Sequence, residues 1–387
     1  MRLWLRAGPD ERDQLFTSGA AERVAGWIDQ VAEEDAELAA RLADVAGVLA
    51  PARASAAALG DACEAVMRWA VLAGLRQTAI EYAEIVATCL PASSAHAATA
   101  GRLNRGAADH ARATQWFRRA IRLARIAESE TDFAIAHLGL GNLEFQRGRY
   151  APAERHLLKA MRAARRNGNV GLQAAAHHEL LNVEHDRSQL AAAIAHAETA
   201  MTLYPRGHPS IPHLVFDTAR VLSALNHHSL ANYLYAAVIP WFDLHQHRIL
   251  AYAALAYSTG AARDRFRFER CSAVVLDLVD RNDPNAARGL FRVAAGATAF
   301  EDWDRATDLA ARALAGAKAI GDQGLENETV ALLERIRRRE VQACDELPPT
   351  GGIIEQLAAA GLAKLRTLPP PASSATASSF PQYFPLR

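Results

Sequence analysis

The chain has 387 residues, with 43 basic and 43 acidic side chains and a formal net charge of zero. That length is more than one ordinary core serves, and the charge balance lacks the basic excess of a nucleic-acid binder. Half of the residues are hydrophobic but only 7% are aromatic, so Ala and Leu carry the core, which suits close helix packing and argues against an all-β protein.

In chain order, residues 1–20 are mixed, with Pro9 and Gly19 as breakers. Met1–Arg6 is too short and too charged for a signal peptide, and no uncharged apolar run is long enough for a membrane span. From about 21 to 50 an amphipathic helix pattern runs through Val24, Trp27, Ile28, Val31, Leu38, Leu42, Val45 and Leu49, with acidic residues between. Residues 1–59 therefore read as an N-terminal helical cap. The four cysteines, Cys63, Cys89, Cys271 and Cys344, are widely spaced and form no CxxC pair. They read as reduced thiols in a cytoplasmic protein.

The clearest unit is residues 134–168. Leu140, Leu143 and Phe145 lie on one helical run, Gly148 supplies a tight turn, and Ala153, Leu157, Ala160, Met161 and Ala164 continue at helical spacing. Pro152 is tolerated in the first turn of the second helix. Leu140-Gly141, Gly148, Tyr150, Ala153-x3-Leu157 and Ala160 resemble the tetratricopeptide repeat (TPR), with His137 and Glu144 in place of that family's usual Trp and Tyr. The pattern recurs. The first Ala of each second helix falls at 79, 113, 153 and 193, in steps of 34, 40 and 40. The longer steps predict extended second helices. Weaker units occupy 212–245, 249–281 and 287–320, and a charged helix from Glu326 to Glu340 closes the array.

The expected fold is all-α, a right-handed superhelix of about seven helical hairpins over residues 60–341. A linker and short amphipathic helix follow over 342–368, with Ile353, Leu357, Gly361 and Leu365 near one face. A Pro/Ser-rich tail over 369–387 reads as disordered. In that tail Phe380, Tyr383 and Phe384 are candidates for docking into a groove or onto a partner.

The resemblance implies that the first helix of each hairpin lines a groove. Asn142 and Asn182 share one position forty residues apart, and Arg102 and Arg220 hold it in flanking units. An amide is both donor and acceptor, so stacked asparagines can hold an extended peptide backbone, as the resemblance also implies. Arg102, Arg105 and Arg220 can fork onto a carboxylate. Gln146 joins the groove set. All fourteen histidines lie between His96 and His247. His178, Asn182 and His185 share one helix face, which the resemblance assigns to the groove wall. The run His178-Glu179-Leu180-Leu181-Asn182 lacks the closing His of a zinc motif, so polar lining is favoured over a metal site, with a pH-sensitive groove as a further option. The basic runs Arg118, Arg119, Arg122, Arg125 and Lys159, Arg162, Arg165, Arg166 read as solvated faces with local acidic partners.

No nucleophile elbow, phosphate loop or complete metal motif occurs. The leading expectation is a non-catalytic protein- or peptide-binding scaffold without cofactor or metal, its partner a protein or extended peptide. Membrane insertion is not expected and nucleic acid is disfavoured. The alternative is a ligand-responsive regulator; with no recognition helix at its N-terminus, it would act through another protein.

Overall fold

Small residues at the expected positions are what allow the helices of this chain to pack. Gly141 shows the tolerance: a Cβ there would stand 2.7 Å from a methyl carbon of Leu157. Ala79, Ala113, Ala153 and Ala193 are each at most 1% exposed. The computed structural model describes residues 1–15, 17–49, 55–242, 245–279, 285–341 and 352–369, and among them there is no strand.

The N-terminal helices are α1 (Arg2–Arg6), α2 (Pro9–Leu15), α3 (Ser18–Glu34) and α4 (Ala36–Leu49). The single amphipathic stretch expected over 21–50 is thus two helices. Asp35 breaks it with extended backbone, φ −146° and ψ 92°, and its carboxylate accepts the Leu38 N–H at 2.8 Å. An aspartate that caps the next helix competes with continuing the first.

Seven hairpins follow: α5 (Ala56–Leu72) with α6 (Arg76–Cys89), α7 (Ser94–Gly106) with α8 (His110–Ile126), α9 (Glu130–Gln146) with α10 (Tyr150–Arg166), α11 (Val170–Asp186) with α12 (Leu190–Leu203), α13 (Ile211–Ala224) with α14 (His228–Val238), α15 (His245–Ala261) with α16 (Arg265–Leu278), and α17 (Ala286–Thr298) with α18 (Trp303–Ile320). Helix α19 (Gln323–Arg337) packs on α18, and α20 (Ile353–Leu365) comes last.

The middle turns are regular. Ala108, Glu128, Gly148, Gly168 and Ser188, twenty residues apart, each have φ between 50° and 69°. Only two of the five are glycine, so the array holds three ordinary residues in a left-handed conformation that disfavours a Cβ. The forty-residue steps are built from both helices. Helix α8 has 17 residues against 14 in α6, and α9 has 17 against 13 in α7. The extension expected in the second helices is shared with the first helices that follow.

Contacts divide the chain into two compact units, Met1–Ala176 and His177–Arg387. Within the first, one buried carboxylate is closed off locally. Glu84 Oε1 accepts from Asn104 Nδ2 and Trp116 Nε1, both at 3.2 Å, with Arg112 at 3.8 Å. Within the second, α20 returns to pack against α12, α13 and α14. Gly361 makes that approach possible, since a Cβ there would meet Val215 at 3.2 Å. Gly207 N–H donates to Thr367 Oγ1 at 2.9 Å, and Lys364 Nζ donates to the Tyr204 carbonyl. Of the expected linker over 348–352 only Gly352 is described, and the aromatic tail lies outside the described residues.

Candidate functional site

Two departures from the repeat pattern each find partners close by. His137 is 2% exposed, meets Phe133 edge to face and stacks on His156, and its Nδ1 lies 2.8 Å from Nδ1 of His156. One hairpin later, His177 and His196 repeat the contact at 2.9 Å. Such a bond holds one proton between two rings, so at least one ring of each pair is neutral. Burial first, then His156, Lys159 and Arg125, push His137 down to about 3. Glu144, in the usual Tyr position, is buried with Arg147 at 3.4 Å and Arg149 at 3.5 Å; Glu184 repeats this with Arg187 at 3.2 Å.

Four of the residues expected in the groove meet in the second unit. On α11, His178, Asn182 and His185 recur at one helix face, and on α13 the side chains of Asp217 and Arg220 face them. His178 Nε2 and Asn182 Nδ2 both donate to Asp217 Oδ2 at 3.0 Å. Arg220 donates to Asn182 Oδ1 at 3.1 Å, to Asp217 Oδ1 at 3.2 Å and to Asp186 Oδ1 at 3.2 Å. His185 Nδ1 donates to Asp186 at 2.9 Å. The Asn182 amide therefore spends donor and acceptor inside the chain, where the sequence offered it to a peptide backbone.

Electrostatics tighten this network. Burial opposes the His178 imidazolium, but the Asp217 hydrogen bond and charge outweigh it and raise His178 above the ordinary histidine value. Burial likewise opposes the Asp217 carboxylate, yet His178, Arg220 and Asn182 hold it well below the usual carboxylate range. Arg220 is raised because Asp217 and Asp186 overcome its burial. Asp186 is lowered, against its burial, by His185, Arg220 and also Arg288. That last effect places the first turn of α17 within electrostatic reach of the end of α11.

Helix α17 gets there through glycine. A Cβ on Gly260 of α15 would stand 2.7 Å from the Gly296 Cα of α17, backbone against backbone. On α17, Arg288 and Arg292 are one turn apart on one face. Arg288 donates to Asp322 at 3.1 Å. Burial first, and then the like charges of Arg220 and Arg288 against Tyr235 and Tyr257, hold Arg292 below the usual arginine range.

In the first unit, Arg102 and Gln146 are exposed, and Arg105 and Asn142 are half-buried. The basic runs behave in part as expected. Arg166 forks onto Glu130 at 3.0 and 2.7 Å, but Arg119 donates to the Ala87 and Pro91 carbonyls and Arg125 lies over the Phe133 ring. Among the described residues, no three His, Cys, Asp or Glu side chains gather as metal ligands, and no helix is long and apolar enough to cross a membrane.

Sequence reasoning missed Asp186, Asp217, Arg288 and Arg292. Asp217 had a signal: it stands three residues before Arg220, one turn away on the face that the repeat register had already marked. The arginines of α17 had none, because the motif fades between 249 and 287 and no register carried across.

No protein-family model matches this chain, and no curated protein matches it. Solved structures do. A Rap protein complexed with competence and sporulation factor is 8% identical, with a TM-score of 0.50 over 86% of this chain and 96% of that one. The yeast Sti1 TPR2AB domain, solved as a pHSP90 complex, is 14% identical with a TM-score of 0.30, covering 72% of this chain and 98% of that one. PilF of Pseudomonas aeruginosa is 15% identical with a TM-score of 0.33, covering 70% and 96%. The chain has a TPR-type all-α helical-repeat fold.

Proposed function

We propose that this chain is a non-catalytic scaffold that binds an extended peptide or a protein segment along the faces of its first helices. The observation that carries the reading is the inner polar face of the second unit. There α11, α13 and α17 turn buried and half-buried charged side chains toward one another and not toward bulk water. Buried charge is costly to maintain for stability alone, and replacing it by apolar packing is often neutral or favourable. Arg102, Arg105, Asn142 and Gln146 form the corresponding ligand-facing set of the first unit in this reading, and His178, Asn182, His185 and Arg220 frame that of the second. The reading keeps the division into a cap over 1–59, an array over 60–341 and a linker with a short helix over 342–368. It also keeps a cytoplasmic location, supported by the buried free thiols of Cys63, Cys89 and Cys271.

The test is an array of immobilised random peptides probed with the full chain. Wild type is expected to retain a defined set. Asn142→Ala with Gln146→Ala and Arg102→Ala is expected to lose much of it while keeping its helical circular dichroism. Identical retention by the folded variant would move the binding site to the outer faces.

A second reading, a ligand-responsive regulator acting through a partner, is favoured by the fold likeness to a Rap protein solved with competence and sporulation factor. A bound-versus-free change in solution scattering would support it; unchanged scattering with a peptide bound would reject it.

A further inference from the structure

The described chain ends beside the start of α13. Thr367 Oγ1 accepts the Gly207 N–H at 2.9 Å, in the loop between α12 and α13, and the described residues run on only to Pro369. The next residue of that loop, His208, stacks on Tyr204 with ring centroids 4.5 Å apart. His213 comes six residues after Gly207, so the two backbones are at most about 22 Å apart. His213, Asp217 and Arg220 share one face of α13. A group of rings stands at the first turn of that face. His213 lies 5.1 Å from Phe242 and meets His247 of α15 edge to face at 5.0 Å, and Phe216 lies 6.0 Å from Phe242. Phe242 is buried, Phe216 and His247 are half-buried, and His213 is exposed. The group is an aromatic floor with one open edge, and all of it belongs to the second unit.

We propose that this ring group is a docking site for aromatic side chains, and that its occupant is the C-terminal segment of the same chain, with Phe380, Tyr383 and Phe384. Large rings gain free energy on burial, and they pair edge to face or offset at about 4.5–7 Å between centroids, the spacing the floor already uses. Burial of its packed side first, and then His247, push His213 down to about 4, and burial lowers His247 as well. Near neutral pH both therefore meet a partner as uncharged rings. The reach is sufficient. Phe380 is thirteen residues beyond Thr367, and an extended chain of that length spans up to about 45 Å. The segment also suits an extended pose: Phe380 precedes Pro381 and Phe384 precedes Pro385, and a residue before proline is restricted to extended backbone, so docking costs less entropy. Such a tether sets an effective concentration on the order of millimolar, so an outside ligand of this end of α13 must displace the tail. The proposal stands apart from the peptide-groove reading, because the tail can hold the rings whether or not an outside peptide binds.

The experiment uses the full chain, wild type beside a tail variant that combines Phe380→Ser, Tyr383→Ser and Phe384→Ser. A synthetic peptide of residues 378–387 is titrated against each fluorescently labelled chain and followed by thermophoresis. The tail variant, whose site is vacated, is expected to bind the peptide with a Kd at or below about 100 μM, and wild type roughly tenfold more weakly, because its own tail competes. In the tail-variant background, His213→Ser is expected to lose about tenfold and His213→Tyr, which keeps a ring, to lose little. A Kd above about 1 mM in the tail variant, where the tether could not hold the tail docked, overturns the proposal. So does equal binding by wild type and tail variant, or binding that His213→Ser leaves unchanged while the chain keeps its helical circular dichroism. Sedimentation decides between one chain and two: a wild-type dimer that the tail variant abolishes would assign the rings to the tail of a second copy and overturn docking within the chain.

Discussion

The two units treat buried charge differently. In the first, Glu84 is a single carboxylate ringed by Asn104, Trp116 and Arg112, so its demand is met within the unit. In the second, two aspartates on the inner face serve His178, Asn182 and Arg220, and one further arginine is left over. A closed cluster is what packing alone requires. Each unit carries one copy of the same device: the His137–His156 pair in the first and the His177–His196 pair in the second, at 2.8 and 2.9 Å, show that hairpins of both units keep the same internal contact.

The largest expected effect breaks the second unit at its tightest point. Gly260→Ala sets a methyl against the backbone of α17, which cannot rotate away as a side chain can. It should cost about 3 kcal/mol and lower the thermal midpoint clearly. A change below about 1 kcal/mol would mean that α15 and α17 are free to separate.

Next comes the aspartate that joins α11 to α13. Asp217→Ala leaves His178 Nε2 and Asn182 Nδ2 without their acceptor and Arg220 with Asp186 as its one remaining carboxylate beside Asn182. Chemical denaturation should register a loss of roughly 2–3 kcal/mol. The sign with pH is specific here. His178 is raised in the folded chain, so its contribution is present below the unfolded value near 6.5 and fades as pH climbs through the folded value. Histidine NMR should find its imidazolium persisting above pH 6.5.

The first unit should respond to acid in the opposite sense. His137 is depressed to about 3. Its stabilisation is complete above 6.5 and is lost as pH falls, because the unfolded chain takes up a proton that the buried ring refuses. The loss should be roughly 1–2 kcal/mol between pH 6.5 and 5. His137→Phe should flatten that dependence; an unchanged slope would assign it to other groups.

The smallest effect has the most informative sign. Arg292→Gln removes an unmatched charge and should leave stability unchanged or raise it by up to about 1 kcal/mol, measured by denaturant midpoint. Destabilisation beyond 1 kcal/mol would show that Arg292 serves the fold and not a ligand.

What the sequence made legible follows from the range of each interaction. Contacts inside one hairpin obey a fixed register, so Ala113 against the next helix, Leu140 and Leu157 in the core, and the turn at Gly148 were all readable. The polar cluster of α11 and α13 was half readable. The register marked Asn182 and Arg220 as neighbours, yet it could not show that they bond to each other, directly at 3.1 Å and again through Asp217. Arg288 and Arg292 reach that face because of the Gly260–Gly296 approach, a contact between helices whose repeat motif has decayed. The return of α20 onto α12–α14 is more distant still, joining residues 160 apart, such as Gly207 and Thr367. Nothing periodic encodes it. The helical character of 353–365 was visible, but its destination was not.

The most direct test of the central claim is hydrogen exchange on the full chain, with and without a peptide recovered from the array. The account predicts slowed exchange along the first helices, above all α13, α15 and α17, with the second helices α8 and α10 unchanged. Protection confined to the basic faces of α8 and α10, or to α20, would contradict it.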